Sequence, residues 1–259
     1  VTAARYELGP ELGRGAQGIV QRAWDRDLCR AVALKRLPGG ASAGTQHRFV
    51  NEARVPAQLE HPNIIPIYDL GRLDSGELFY VMKLVEGDTL AQLLRDGIST
   101  DRALDVLEQV CAAMAFAHHR GALHRDLKPS NILVESMGQV LIVDWGLARA
   151  ADVVTDGAAP AGQAEGTLGY MALEQALGQV DQEGPWTDVH ALGGVLYQVL
   201  TGRPPRPAAD LQELIPLLHA LPEPPSGPLG TLALRCLSSH RAARPPHAGV
   251  LQQLLTLSR

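Results

Sequence analysis

The 259-residue sequence predicts an α+β fold in which strands come first and helices later. Three observations carry that expectation. Residues 6–37 alternate β-type runs with glycine and aspartate turns. Beyond residue 88, apolar residues recur at helical spacing. Within the helical part, residues 121–146 form a loop and hairpin dense in charged and amide side chains.

The first strands flank Gly13-Arg14-Gly15-Ala16-Gln17-Gly18, a G-x-G-x-x-G spacing. Glycines there permit close backbone approach to a phosphate. In dinucleotide-binding folds such glycines open a helix. Here Ile19 to Trp24 continues as a strand and Asp25-Arg26-Asp27 as a turn, so the readings are a β-hairpin over a nucleotide or a plain glycine turn. The next strand, Ala31 to Lys35, places Ala31, Ala33 and Lys35 on one face. Lysine is scarce: only Lys35, Lys83 and Lys128 stand against 20 arginines. A compact ammonium therefore marks few positions in a chain otherwise charged by the planar guanidinium. A helix is expected from about Thr45 to Leu59, carrying Glu52. Pro56 inside it removes a hydrogen bond at a cost of ~3 kcal/mol or more and predicts a kink one turn beyond Glu52. Leu78 to Met82 reads as a further strand.

In the helical part, Leu104, Leu107, Cys111, Met114 and His118 share one face and read as core. His118-His119 with His124 offers no further ligand at metal-binding spacing. Next comes His124-Arg125-Asp126-Leu127-Lys128-Pro129-Ser130-Asn131, which Pro129 marks as a loop. It joins a carboxylate that can accept a proton, an ammonium for anionic oxygens and an amide oxygen that can face a metal. Phosphoryl transfer needs that set, because its catalysis is mostly positioning and electrostatics. The hairpin Ile132-Leu133-Val134 and Val140 to Val143, turning at Ser136-Met137-Gly138, delivers Asp144-Trp145-Gly146. Ala150 to Glu165 is rich in alanine and glycine, with little periodicity. Thr187-Asp188-Val189 opens an apolar helix, and two or three more helices close the chain.

Composition narrows the class. With 46% hydrophobic and 20% charged residues the chain is globular. A net charge of −5 without a basic run argues against nucleic acid or an acidic membrane surface as partner. Cys29, Cys111 and Cys236 have no zinc or redox spacing and read as free thiols of a reducing, cytoplasmic protein. No apolar run is long enough to cross a bilayer. The first residue is Val1, so a fragment of a longer protein is expected, whose anchor or sensor would lie elsewhere.

The segment His124–Asn131 resembles the catalytic loop of Ser/Thr protein kinases at nearly every position, and further motifs fall in that family's order from about Tyr6 to Leu255. The chain is similar to bacterial-type, eukaryotic-like Ser/Thr protein kinase domains. The resemblance implies a bilobal protein-kinase fold: a small antiparallel β-sheet lobe with one main helix (about 1–84), a hinge (about 83–87) and a larger, mostly helical lobe (about 88–259). It implies ATP between the lobes, with Mg²⁺ or alternatively Mn²⁺, and a protein hydroxyl as acceptor. Leu12, Gly13, Gly15, Gly18, Val20, Ala33, Lys35, Glu52, Met82, Lys83, Val85 and Leu133 would surround the nucleotide, Lys35 being held by Glu52 and Met82 being the gatekeeper. Asn131 and Asp144 would hold the metal, Asp126 would be the base, and Lys128 would stabilise the transferring group. Arg125 would face a phosphate on the 150–165 loop. Thr155 is the candidate for that phosphate, because Thr167 matches the threonine that contacts the catalytic aspartate. Glu174 and Arg244 match a structural ion pair, and Asp188 the aspartate that braces the catalytic loop.

The sequence departs from the family at Trp145, where phenylalanine is usual, and at Leu168 and Leu173, where prolines are usual; losing two prolines loosens that loop. Two rival classes stay open: a pseudokinase acting as a nucleotide-binding scaffold, and a small-molecule phosphotransferase of related fold. Intact Lys35, Asp126, Asn131 and Asp144 oppose the first. Lys128, Thr167 and the Glu174–Arg244 pair oppose the second.

Overall fold

The computed structural model describes residues 5–15, 18–150 and 164–259. Its N-terminal part is one antiparallel sheet, because β-branched and aromatic residues alternate there between tight turns. The strands are β1 (Tyr6–Gly15), β2 (Gly18–Asp25), β3 (Arg30–Arg36), β4 (Ile67–Arg72) and β5 (Leu78–Met82), ordered β1-β2-β3-β5-β4. One face buries Tyr6, Ala23, Val32, Leu34, Phe79 and Val81. The other buries Leu37, Leu78 and Tyr80 against Phe49 and Ala53 of helix α1 (Ala43–Ala57).

Helix α1 begins where Ser42 accepts the amide of Thr45, two residues before the expected start. It ends at Ala57, so Pro56 falls in its last turn. There the missing N–H forfeits a bond only at the fraying end, and Gln58 closes the helix on Val55 and Pro56 carbonyls. Pro56 therefore does not displace Glu52, which is buried and in contact with Lys35.

After β6 (Gly87–Thr89) the chain is mainly helical: α2 (Leu90–Arg95), α3 (Thr100–His119), then the short β7 (Ala122–Leu123). The hairpin of β8 (Ile132–Glu135) and β9 (Val140–Ile142) pairs with β6 to form a second small sheet. Gly87 is required there, since a Cβ would lie 2.1 Å from the Val134 carbonyl oxygen. A two-residue β10 (Arg149–Ala150) pairs with β7. The remaining helices are α4 (Leu173–Ala176), α5 (Pro185–Thr201), α6 (Leu211–Leu218), α7 (Gly227–Cys236) and α8 (Ala248–Ser258). The apolar faces of α3 (Leu104, Leu107, Cys111, Met114) and α5 (Val189, Leu192, Leu196) meet in the main core, with α7 and α8 packed around them. Cys29, Cys111 and Cys236 are free thiols. Among the described residues no helix is long and apolar enough to cross a membrane.

Candidate active site

The glycine-rich hairpin between β1 and β2 roofs a cavity of about 380 Å³. Gly13, Arg14, Gly15, Gly18, Val20, Lys35, Lys128 and Asp144 line it together, although they are drawn from four separate stretches of chain. The three glycines differ in purpose. Nothing lies within 4 Å of a Cβ built on Gly13 or Gly15, so their backbone is open to a ligand. Gly18, at φ +132°, would drive a Cβ to 2.6 Å from the Arg36 carbonyl oxygen, so it serves the close approach of β2 to β3. Ala16 and Gln17 lie outside the described residues.

Lys35 on β3 pairs with Glu52 of α1, and both are buried. The Tyr80 hydroxyl donates to the same carboxylate at 2.7 Å. Burial pushes the Glu52 carboxyl above its ordinary range; Lys35 pulls it down, and the nearby charge of Asp144 adds to the rise. Strand register sets Lys35 opposite both Val20 and Tyr80, and Ala33 opposite Met82. Met82, Val85 and Leu133 are partly buried at the edge of the main core, whereas Leu12 is exposed on β1. These four and Ala33 stand outside the lining of the cavity itself. The Lys83 side chain does not reach it either: its ammonium contacts Glu135 at 2.8 Å and Gln139 at 2.6 Å, on the β8–β9 hairpin, leaving only the Lys83 backbone for a ligand.

Opposite the glycine-rich roof, the loop after β7 carries the densest polar cluster. Lys128 donates to Asp126 Oδ2 at 2.7 Å and to Thr167 Oγ1 at 2.6 Å, and Thr167 donates to Asp126 Oδ1 at 2.7 Å. Pro129 opens one 3-10 turn, Pro129–Asn131, in keeping with its preset φ. Asn131 closes that turn and donates its amide to the Asp126 carbonyl at 2.9 Å, so its Oδ1 is the end left to accept or to ligate. With Asp144 this gives a donor set of hard oxygens, which suits a small divalent cation. Among the described residues no group of three or more His, Cys, Asp or Glu side chains is placed to hold a metal ion by itself.

Within the site, two residues hold left-handed backbones that non-glycine side chains rarely adopt: Arg125 at φ +70° and Asp144 at φ +63°. Such strain persists only where the surroundings over-determine it. For Arg125 the constraint is Asp188, fully buried in the first turn of α5. Its carboxylate accepts the amides of His124 at 2.9 Å and Arg125 at 2.8 Å, and Nε2 of His118 at 2.9 Å. Burial alone would raise the Asp188 carboxyl; the hydrogen bond and charge of His118, then His124 and the Arg125 amide, outweigh it and hold the group below its ordinary value. At Asp144 the neighbouring Trp145 is fully buried, donates Nε1–H to the Ile142 carbonyl and packs on the His124 ring at 4.7 Å. The extra donor that distinguishes tryptophan from phenylalanine is thereby satisfied.

The Arg125 guanidinium is engaged by Glu183 and Glu165, two carboxylates that converge on it from separate segments. Thr155 lies outside the described residues. The segment after Glu165 is held by Thr167 on Asp126 and Lys128, and by Gln175 on the Arg125 carbonyl at 2.8 Å. Leu168 opens a 3-10 turn and Leu173 opens α4. Glu174 forms a bidentate buried pair with Arg244, at 2.7 and 3.1 Å, and accepts from Thr187 at 2.9 Å. Sequence reasoning missed Tyr80, His118, Glu165, Gln175 and Glu183. Their roles depend on partners up to 70 positions away, which no local spacing encodes.

The comparisons with known proteins agree with this geometry. A family model described as "Protein kinase domain" matches residues 6–248. The serine/threonine-protein kinase PknD of Protochlamydia amoebophila is 37% identical over 239 residues, covering 80% of this chain and 24% of that protein. Serine/threonine-protein kinase PknA of Mycobacterium tuberculosis is 40% identical over 234 residues, 86% of this chain and 52% of its own length. Serine/threonine-protein kinase PknB of Mycolicibacterium smegmatis is 39% identical over 209 residues, 78% of this chain and 33% of its own. The chain thus spans at most about half the length of these relatives.

Proposed function

Because the chain belongs to the protein kinase domain family, and within it to the bacterial serine/threonine type, we propose that it transfers the γ-phosphoryl group of ATP to hydroxyls of protein substrates, its own included. The observation that carries this reading is the single cavity in which the glycine-rich hairpin, Lys35, Lys128 and Asp144 meet beside Asp126. The open backbone at Gly13 and Gly15 cradles phosphates. Gly18 shapes the hairpin, and Val20, Leu12, Ala33, Met82, Val85, Leu133 and the backbone of Lys83 enclose the base. Lys35, fixed by Glu52, supplies positive charge to the inner phosphates. Asp126, held by Thr167 and Lys128, orients the acceptor hydroxyl and takes its proton, a step that typically contributes about 10²–10⁴-fold. Lys128 stays within reach of the charge that develops on the transferring group. Asn131 and Asp144 hold the divalent cation, for which we propose Mg²⁺; bound there, it neutralises phosphate charge.

The same reading divides the chain into a lobe of about residues 1–84, a hinge at 83–87 and a second lobe at 88–259. It makes ATP and a protein the partners, nucleic acid not among them, in a cytoplasmic setting. A nucleotide-binding scaffold without turnover is disfavoured because Lys35, Asp126, Asn131 and Asp144 are all present. The test is transfer of γ-phosphate to a generic protein such as casein, and to the chain itself, with Asp126→Ala as control. Transfer by the wild type and its loss in the variant are expected. Equal transfer by both would refute the assigned base, and ATP binding without transfer by either would restore the scaffold.

A further inference from the structure

Arg125 immediately precedes the proposed catalytic base, and its side chain is buried. Nε and Nη2 form a two-pronged contact with Glu183, at 2.5 and 3.0 Å, on a carboxylate that is itself buried. Nη1 donates to the Leu147 carbonyl at 3.1 Å and to Glu165 Oε2 at 3.4 Å. The other oxygen of Glu165 accepts from Arg48 at 3.0 Å, and Arg48 stands on α1 one turn before Glu52. Four of the contacts the planar fork can make are therefore filled from within the chain. Two arginines face two glutamates, so the cluster is neutral. A phosphothreonine, bringing about −1.5 to −2 charges, would have to displace a carboxylate to reach Arg125. Glu183 is anchored on the approach to α5, and Glu165 lies two residues before Thr167. The cluster thus ties α1, the Asp126 loop and the Thr167 segment to one another.

We propose that Glu183 and Glu165 are positioning residues that hold Arg125, and through it the Asp126 loop, in its working geometry with no phosphate on the 151–163 segment. The proposal rests on the kinase reading and deepens it: phosphorylation of that segment is not what makes the chain competent. Two carboxylates do permanently what a removable group would do conditionally.

The experiment compares the chain freed of phosphate by co-expressed phosphatase, verified by intact mass, with the chain after incubation with ATP, using casein as acceptor. Thr155→Ala, Glu165→Gln and Glu183→Gln are measured beside them. The expected result is that phosphate removal and Thr155→Ala change kcat by less than about twofold. Glu183→Gln should lower kcat by up to about 10²-fold, the scale of a misplaced catalytic group, while KM for ATP stays within a factor of about two. Glu165→Gln should act in the same direction. A fall in kcat of more than about tenfold on dephosphorylation, reversed as phosphate returns to Thr155, overturns the proposal. So does a Glu183→Gln variant with unaltered kcat. If the wild type transfers nothing, the kinase reading fails separately, and the urea midpoints of Arg125→Gln, Glu183→Gln and the double variant still decide the cluster. Non-additive shifts support Glu183 as the anchor of Arg125; additive shifts overturn it.

Discussion

Asp126, Lys128 and Thr167 close a triangle of hydrogen bonds with sides of 2.6–2.7 Å, and Asn131 braces it from below. The three loop members were legible because they lie within six residues, in a loop that proline marks. Thr167 was legible through its place in the Gly166–Glu174 segment. What the local pattern could not reveal is how the loop endures a left-handed Arg125. That depends on Asp188, and on a histidine, His118, whose helical spacing reads as ordinary core. The Asp188 carboxyl is held below its ordinary value of 3.8, so its contribution to stability is full above that value and is lost as pH falls through the lower folded value. Asp188→Asn should therefore destabilise the chain strongly at pH 7, and the gap to wild type should narrow on acidification to about pH 3. Urea unfolding at the two pH values checks this; a gap independent of pH would show that the carboxylate charge is not what stabilises the loop.

At the scale of elements, β2, β3, β5, the β8–β9 hairpin, helix α1 and the start of α5 could be read from period and turn chemistry to within two residues, whereas β4 and α2 could not. Helix α1 shows the limit of such reading. Pro56 signals a break, but its effect depends on whether it lies in the middle or the last turn, and that is set by the Ser42 cap and by packing on β5. Lys83 shows the same limit: it joins β5 to the β8–β9 hairpin through Glu135 and Gln139, a link invisible in sequence. Because that pair is partly exposed, Lys83→Met should cost no more than about 1 kcal/mol and leave KM for ATP unchanged, as titration kinetics can verify. A clear rise in KM would mean that the ammonium reaches the nucleotide. The Glu174–Arg244 tie between α4 and the segment that precedes α8 is different, since both partners are buried. Glu174→Ala strands an arginine in the interior and should cost roughly 3–5 kcal/mol in urea unfolding. A loss below about 1 kcal/mol would place this pair with exposed, weakly contributing ones.

For the molecule as a whole, a sheet with one helix faces a helical body, and the chemistry collects in the cleft between them. That architecture was foreshadowed by the order of motifs more than by periodicity, because short apolar runs do not say which strands are neighbours. The segment 151–163, with Thr155, lies outside the described residues; Glu165 and Glu183 are the carboxylates that engage Arg125. Charge is distributed to match the proposed reaction: Lys35, Lys128 and Asp144 line the cleft together, and Asp144 is the carboxylate to which the proposal assigns the cation. The most direct test of this convergence is a crystal structure with a non-hydrolysable ATP analogue and Mn²⁺, with the metal located by its anomalous scattering. The account predicts one metal peak bound by Asn131 Oδ1 and the Asp144 carboxylate, with the phosphates between Lys35 and the backbone of Gly13 and Gly15. A nucleotide bound outside this cleft, or a metal that touches neither Asn131 nor Asp144, would contradict it.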